Sequence, residues 1–175
     1  MKKIVAVLMG TLVLGISGLA FAADPAPAAA PAKPAAAVVG VVDLENAKLT
    51  DIASKEITAK SVLAGKTTVV AFAQTACSNC RDEISYLVAI QKDYPKVQFA
   101  VAFVDMRPSE PKIASYVQEL GFTGVVFTDP QFRFAKMVGV NNTPSLVVIN
   151  KDGKVTFTQA GYDDGAKTNI TAALK

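Results

Sequence analysis

Short apolar runs and amphipathic stretches alternate along most of the chain. The runs Thr67–Ala73 and Val97–Val104 are rich in β-branched and other apolar residues, as expected of strands buried on both faces. Between them, Ile84 and Leu87 lie on one face of a predicted helix that stops before Pro95. Strand, helix and strand predict a βαβ unit whose two strands are parallel.

The alternation continues on both sides of this unit. Residues 43–63 contain short alternating pieces around Asp51–Lys55, which predict an N-terminal β-hairpin. Downstream we expect a helix that begins at Pro111 and ends near Gly121, followed by a strand over Gly124–Thr128. The next helix is capped by Asp129 and has Pro130 at its first position. Two strands over Ser145–Asn150 and Lys154–Thr158, joined at Asp152-Gly153, and a last helix through Ala166 and Ile170 complete the chain. The pattern predicts an α/β fold with a central sheet flanked by helices.

The first 22 residues have the pattern of a secretory signal. Lys2 and Lys3 precede an apolar stretch, and residues 20–22 form a small-x-small cleavage site. We expect cleavage near Ala22 and export to the periplasm, where disulfides persist. The alternative is an uncleaved segment that anchors the protein in the membrane, because the apolar stretch is nearly long enough to span a bilayer.

Residues 23–37 are almost entirely Ala and Pro and cannot build a core. This composition favours an extended linker, acting as a tether or as a tail without function. The remaining residues, 38–175, suit one domain with a single core.

Charge identifies no partner. The whole chain has a formal charge of +3, two units of which come from the lysines of residues 1–22. The sequence has no basic run typical of nucleic-acid binding.

The candidate chemistry lies at the junction between the first long strand and the helix after it. Cys77 and Cys80, the chain's two cysteines, are three residues apart there. Cys77 falls at the start of the helix, where unpaired N–H groups and the helix dipole stabilise a thiolate. Cys80 lies one turn further in, so it can displace whatever Cys77 has captured. We therefore predict Cys77 as the nucleophile and Cys80 as the resolving thiol of a dithiol/disulfide centre.

Other uses of the pair are disfavoured by composition. The chain has no histidine, and two cysteines cannot complete a tetrahedral zinc site, so we expect no metal. Covalent haem attachment needs His after the second Cys, where this chain has Arg81. A structural disulfide remains open, although so short a loop contributes only roughly 2 kcal/mol.

With these features the sequence resembles the thioredoxin fold, and more narrowly the TlpA/ResA-like thiol–disulfide oxidoreductases with their redoxin (AhpC/TSA-like) domain. The resemblance covers nearly all of residues 38–175. It rests on segments that match in order: the hairpin Leu49–Ile57, Gly65-Lys66, Cys77-x-x-Cys80-x-x-Glu83, Thr128-Asp-Pro130, Gly139-Val140, Thr143-Pro144 and Val147–Gly153. It implies a thioredoxin-like fold, a central mixed sheet flanked by helices with an N-terminal β-hairpin extension.

The resemblance also implies roles for three further residues. Pro144 is expected to follow a cis bond and to face the dithiol, and the backbone of Thr143 to pair with the substrate chain. The alternative is an ordinary turn proline. Glu83 is expected near the thiols, where it raises their pKa and relays a proton. Its alternative is a solvated acid in the first turn of the helix, like Asp82.

The implied function is extracytoplasmic thiol–disulfide exchange without a cofactor, reducing disulfides of exported proteins, including those of cytochrome c maturation, with a membrane thiol donor as partner. The alternatives are a redox-sensing or binding module on the same fold and a peroxiredoxin-like peroxidase. The chain departs from thioredoxins, since Ala76 replaces an aromatic residue, Ala71 replaces a buried Asp, the pair Ser78-Asn79 lacks a Pro, and the chain has no Trp. Redox potential and partner choice therefore do not transfer from the relatives.

Overall fold

The computed structural model of the chain describes residues 40–175. The predicted signal segment and the Ala/Pro-rich linker lie outside these residues. Seven strands form one mixed sheet in the order β2-β1-β5-β4-β3-β6-β7. The strands are β1 Lys48–Thr50, β2 Glu56–Thr58, β3 Thr67–Ala73, β4 Val97–Phe103, β5 Val125–Thr128, β6 Ser145–Ile149 and β7 Val155–Ala160.

Five helices flank the sheet. They are α1 Ala59–Leu63, α2 Ser78–Ile90, α3 Glu110–Leu120, α4 Arg133–Met137 and α5 Asp164–Ala173. A short 3-10 turn, Gln91–Asp93, follows α2. Within residues 40–175, no helix combines the length and the apolar character needed to cross a membrane.

The core has two layers because side chains alternate across the central strands. Val70 and Phe72 of β3 point to one face, where they belong to a cluster with residues of α1 and α4. Val69 and Ala71 point to the other face, where α2, α3 and α5 pack. The apolar run predicted as a strand buried on both faces is confirmed, since residues 68–73 are all buried.

The predicted βαβ unit is confirmed. Strand β3 runs parallel to β4 along its whole length, from Thr67 opposite Val97 to Ala73 opposite Phe103, and α2 connects the two. The N-terminal hairpin is confirmed as well, because β1 and β2 pair antiparallel. Within the βαβ unit, the carboxyl end of β3 leads directly into the loop that carries Cys77.

The predicted start of α4 is wrong. The helix begins at Arg133, so Pro130 is not its first residue, and Phe132 occupies the position before it with a φ of 53°. Asp129 nevertheless supplies the cap from further back, because its carboxylate accepts hydrogen bonds from the N–H groups of Arg133 and Ala135, both at 2.9 Å. The three residues between form a turn that the pattern of polar residues did not predict.

Candidate active site

Cys77 and Cys80 are joined by a disulfide at the start of α2. Cys77 is the residue that precedes the helix, and its sulfur accepts a hydrogen bond from the backbone N–H of Cys80 at 3.1 Å. This sulfur therefore caps one of the unpaired N–H groups at the helix start. The predicted placement of Cys77 at the helix N-terminus is confirmed.

The two sulfurs have different surroundings. Cys80 is completely buried within the apolar cluster that α2 shares with β3 and β4, whereas Cys77 is partly exposed. An incoming thiol or disulfide reaches only the Cys77 side of the bond. This asymmetry agrees with the predicted division of roles, which itself stays a prediction.

Glu83 is buried, and no hydrogen bond within the described residues offsets the desolvation of its carboxyl group. Its side chain is fully shielded from solvent, and neither carboxylate oxygen has a hydrogen-bond partner among the described residues. Burial raises the pKa of Glu83 to about 8, because desolvation penalises the charged form. The solvated-acid alternative is therefore wrong for Glu83, although Asp82 beside it is exposed.

Glu83 lies one helical turn after Cys80, so the two side chains share a face of α2. A carboxyl group with a pKa of about 8 is mostly protonated at neutral pH. The charge effect predicted from the sequence then operates mainly at alkaline pH. At neutral pH the group is a neutral acid whose proton affinity is close to that of an ordinary thiol.

The segment Thr143-Pro144 lies beside the carboxyl end of β3. The peptide bond between the two residues is cis, as the resemblance implied. Ser145, which follows them, pairs with Phe72 in the antiparallel ladder of β6 and β3. The sheet therefore brings together the two segments that lie 67 positions apart in the sequence, at Cys77 and at Pro144.

Gln74 connects these two segments. Its backbone carbonyl accepts the N–H of Cys77 at 3.1 Å, and its side-chain oxygen accepts the hydroxyl of Thr143 at 3.1 Å. The sequence analysis did not single out Gln74. The available signal was its position as the first polar residue after β3, where ligands collect in open α/β sheets.

Asp105, which follows β4, binds the loop between β3 and Cys77 through its carboxylate. Its carboxylate accepts the backbone N–H of Thr75, at 3.1 Å for the nearer oxygen, and the Thr75 hydroxyl at 2.8 Å. Asp105 follows the end of β4, the parallel neighbour of β3, so the two residues meet at one edge of the sheet. This contact was also missed, although the predicted parallel arrangement of β3 and β4 brings the residues that follow the two strands to one edge of the sheet.

Tyr162 completes the surroundings of the site. The N–H of Gly161 donates to the carbonyl of Pro144 at 2.9 Å, which brings the start of the next loop against the Thr143-Pro144 segment. Burial, followed by the nearby charge of Glu83, raises the pKa of Tyr162 to about 12. The phenol is therefore neutral throughout the physiological range.

In the described part of the chain, no group of three or more Cys, His, Asp or Glu is arranged to hold a metal ion. The site offers two sulfurs, one buried carboxyl group and the hydrogen-bonded loops around them. A disulfide that caps a helix next to a proline with a cis bond, on this mixed sheet, defines a thioredoxin-like protein with a dithiol/disulfide centre.

The sequence profile of the redoxin family matches residues 22–174, and the chain belongs to that family. Among curated proteins it is similar to the thiol-disulfide oxidoreductases ResA of Bacillus thuringiensis and of Bacillus anthracis. Each is 27% identical over 110 residues, which are 63% of this chain. The match also spans 63% of the length of these relatives.

Solved structures show the same fold. A secreted disulfide oxidoreductase of Mycobacterium tuberculosis, homologous to DsbE of Escherichia coli, superposes with a TM-score of 0.58 at 19% identity, covering 73% of this chain and 92% of that one. The thioredoxin domain of a thiol-disulfide oxidoreductase from Bacteroides vulgatus gives a TM-score of 0.59 at 14% identity, covering 78% and 99%. The predicted thioredoxin-like fold is confirmed.

Proposed function

We propose that this protein is an extracytoplasmic thiol–disulfide oxidoreductase that reduces disulfides of exported proteins. The observation that carries the proposal is the asymmetric pair at the start of α2, with Cys77 partly exposed and Cys80 buried. A structural disulfide has no need of one accessible sulfur at a helix N-terminus. A centre that exchanges disulfides requires it.

The reaction begins with the dithiol form. The Cys77 thiolate attacks one sulfur of the substrate disulfide, so that a bond forms between Cys77 and that sulfur and the second substrate sulfur leaves as a thiolate. Cys80, after losing its proton, attacks the Cys77 sulfur and releases the first substrate sulfur. The substrate gains the two electrons of the dithiol, its two thiolates take up protons from water, and the protein ends with the Cys77–Cys80 disulfide.

Two features of the chain favour these steps. The N-terminus of α2 stabilises the thiolate of Cys77 through the unpaired N–H groups and the helix dipole. Glu83 lies on the same helix face as Cys80, and its ionised form, the minor one at neutral pH, accepts the proton of the buried Cys80, since the proton affinities of the two groups are close. We assign Thr143 and Pro144 to substrate docking, with the Thr143 backbone pairing with an extended substrate segment.

The cellular setting is part of the proposal. Residues 1–22 have the composition of an export signal, residues 23–37 that of a linker, and residues 38–175 form the redox domain. One of the similar proteins supports this setting, since the disulfide oxidoreductase of Mycobacterium tuberculosis is secreted. A membrane thiol donor would regenerate the dithiol form, and apocytochromes c before haem attachment are a candidate substrate class.

The test is the reduction of insulin by the full chain after its own disulfide has been reduced. We expect precipitation of the insulin B chain with the wild-type protein and none with Cys77→Ser. The Cys80→Ser variant should instead accumulate a mixed disulfide, because the first step proceeds and the second does not. This adduct is detected on a non-reducing gel and by mass spectrometry.

A single outcome would overturn the proposed function. If reduced wild-type protein left insulin intact and Cys80→Ser trapped no partner, the pair would be a lock or a redox sensor on a binding module.

A further inference from the structure

A cleft lies between the first half of α2 and the loop that joins β7 to α5. It has a volume of about 630 Å³, and its walls include Asp82 and Tyr86 of α2 and Tyr162 of the loop. Glu83 stands between Asp82 and Tyr86 in the sequence, yet it does not line the cleft and is fully shielded from solvent. Other side chains therefore separate the Glu83 carboxyl group from the water that fills the cleft.

Tyr86 covers Glu83 from the same helix. It lies one turn after Glu83 on α2, so the two side chains are neighbours on the helix surface. The Tyr86 hydroxyl donates to the carbonyl of Lys167 on α5 at 3.0 Å. The ring thus spans from α2 to α5 and is fixed at its far end.

Tyr162 covers Glu83 from the loop. Tyr162 is half-buried, and its ring packs on that of Tyr86 with centroids 6.1 Å apart. After burial, the charge of Glu83 is the largest cause that raises the pKa of Tyr162, ahead of the effect of Tyr86. Because charge effects fall with distance, the phenol and the carboxyl group are close neighbours. Since Tyr162 also lines the cleft, its ring lies between Glu83 and solvent.

The loop that carries Tyr162 is anchored on both sides. Before it, the N–H of Gly161 donates to the carbonyl of Pro144 at 2.9 Å. After it, the carboxylate of Asp163 accepts the N–H of Ala166 at 2.7 Å. The ring is therefore held against α2 by contacts that do not involve Glu83, as a fixed cover requires.

The ionisable groups nearby leave burial as the main influence on Glu83. Lys167 lies 5.8 Å from the centre of the Tyr162 ring, and it pairs with Asp164 at 2.7 Å. The strands β3 and β6, which share the apolar layer with α2, contain no ionisable residue. The groups that α2, the loop and α5 place around the cleft are Asp82, Tyr86, Tyr162, Asp163, Asp164 and Lys167.

The groups of α3 face a different side of α2. Tyr116 and Glu119 of α3 contact the guanidinium of Arg81. Arg81 lies two positions before Glu83, and side chains two apart do not share a helix face. Cys80, which does share the face of Glu83, is held in the disulfide.

We propose that Tyr162 is a positioning residue that acts through Glu83, because its ring keeps water from the carboxyl group that exchanges a proton with Cys80. This inference rests on the proposed function, in which the proton of the Cys80 thiol moves to a carboxylate oxygen of Glu83. The Cys80 thiolate then attacks the Cys77 sulfur. A carboxyl group open to water would be ionised at neutral pH and too weak a base for a thiol.

The test measures the pKa of Glu83 in the oxidised full chain by carbon-13 NMR of the glutamate carboxyl groups, assigned with Glu83→Gln. The wild-type group should titrate at about 8. Tyr162→Ala should lower this pKa by roughly 1–2 units, since water then reaches the carboxyl group. Tyr162→Phe keeps the ring and should retain the wild-type value.

Tyr94→Ala is the matched control. Tyr94 is a half-buried tyrosine that packs against the same apolar layer, but it lies beyond the C-terminal end of α2. Its loss removes the same amount of side chain and should leave the pKa of Glu83 unchanged. If Tyr162→Ala does not fold, Tyr162→Leu removes part of the cover and should give a smaller shift in the same direction.

Several results would overturn the proposal. One is an unchanged pKa of Glu83 in the variants that shorten Tyr162, and another is a wild-type Glu83 that titrates near 4.5. An equal shift in Tyr94→Ala would show a general loosening of the apolar layer. An equal shift in Tyr162→Phe would assign the effect to the hydroxyl group and not to the cover that the ring provides.

Insulin reduction by the same variants tests the role in the reaction. The pH profile of the wild-type rate should contain a limb near pH 8, and Tyr162→Ala should move this limb down with the pKa of Glu83. A shifted pKa with an unchanged pH profile would remove Tyr162 from the reaction. Failure of the wild-type protein to reduce insulin would overturn the proposed function, whereas the titration of the oxidised protein does not depend on that activity.

Discussion

The environment of Glu83 makes the folding stability depend on pH. Folding moves its carboxyl group from water into an apolar layer that offers it no hydrogen bond within the described residues. The unfolded chain releases this proton near pH 4.5, whereas the folded protein keeps it until about pH 8. Folding stability is therefore greatest below pH 4.5 as far as this group is concerned, and it declines as the pH rises toward 8.

Glu83→Gln should remove this decline. At pH 5 the oxidised variant and wild type should differ little, since both side chains are neutral. At pH 8 the variant should be more stable by a few kcal/mol, because the wild-type slope is about 1.4 kcal/mol per pH unit within the window. Urea denaturation at a series of pH values measures the effect.

Asp82→Asn provides the control, since Asp82 is the exposed neighbour on the same helix. That variant should retain the wild-type slope. Parallel pH profiles for wild type and Glu83→Gln would show that Glu83 titrates as an ordinary surface acid.

Some residues of the site could be predicted from the sequence, and others could not. Cys77 and Cys80 were found from their spacing and position, because strand and helix patterns locate a junction reliably. The burial of Glu83 was not visible, since its neighbours Asp82 and Ser85 are polar and only the orientation of α2 decides which of them faces inward. The contact of Gln74 with Thr143 joins segments 69 residues apart, which local patterns do not encode.

At the scale of elements, the turn before α4 differs most from expectation. Asp129 is buried and holds two N–H groups of a helix that starts four residues later. Burial raises the pKa of Asp129, while the hydrogen bonds from the backbone lower it. The Asp129 carboxylate thus caps the helix from four residues before its start, in place of the residue directly before it.

Asp129→Ala should destabilise the protein more than Asp163→Ala does. Asp163 is an exposed cap that accepts one N–H, from Ala166 at 2.7 Å, and its loss should cost about 1 kcal/mol. Loss of Asp129 leaves two shielded donors without an acceptor and should cost about 2–4 kcal/mol. The difference in urea midpoints between the two variants checks this.

Similar costs for the two variants would mean that water replaces the Asp129 carboxylate. Asp129→Asn, which keeps one acceptor oxygen, should fall between wild type and Asp129→Ala.

The long elements and the short strands were predictable, and the short helices were not. The strands β3 and β4 and the helices α2 and α3 each bury enough periodic apolar residues to reveal their type. Helix α1 was missed and α4 was misplaced because each has five residues, too few to display a helical period. Their conformation depends on packing against the sheet.

On the scale of the whole molecule, stability comes from two apolar layers on one sheet. The layer with α1 and α4 lies on the face away from α2, and the disulfide belongs to the other layer. The disulfide closes a loop with a sequence separation of three. So small a loop contributes roughly 2 kcal/mol at most in the chain-entropy picture.

The reduced protein should therefore keep its fold. Reduction with dithiothreitol is expected to leave the far-ultraviolet circular dichroism unchanged and to lower the free energy of unfolding by roughly 2 kcal/mol or less. The double variant Cys77→Ala/Cys80→Ala should not respond to the reductant. Loss of secondary structure on reduction would identify the disulfide as a structural staple.

The order of the strands in the sheet could not be predicted from the pattern of residues alone. Parallel pairing of β3 and β4 follows from the βαβ pattern, but the antiparallel placement of β6 on the other side of β3 joins segments more than 70 residues apart. Only the complete packing of both layers selects this order. The resemblance to thioredoxin-like proteins supplied it indirectly.

The two contacts of Gln74 have a consequence for how a bound chain would be received. One residue, through its backbone carbonyl and its side-chain oxygen, fixes the loop before Cys77 and the segment at Thr143 with respect to each other. The conformational entropy of both loops is therefore lost during folding, before any encounter. The Thr143-Pro144 segment, to which we assign substrate docking, is therefore preorganised, and an incoming strand has only its own freedom to give up.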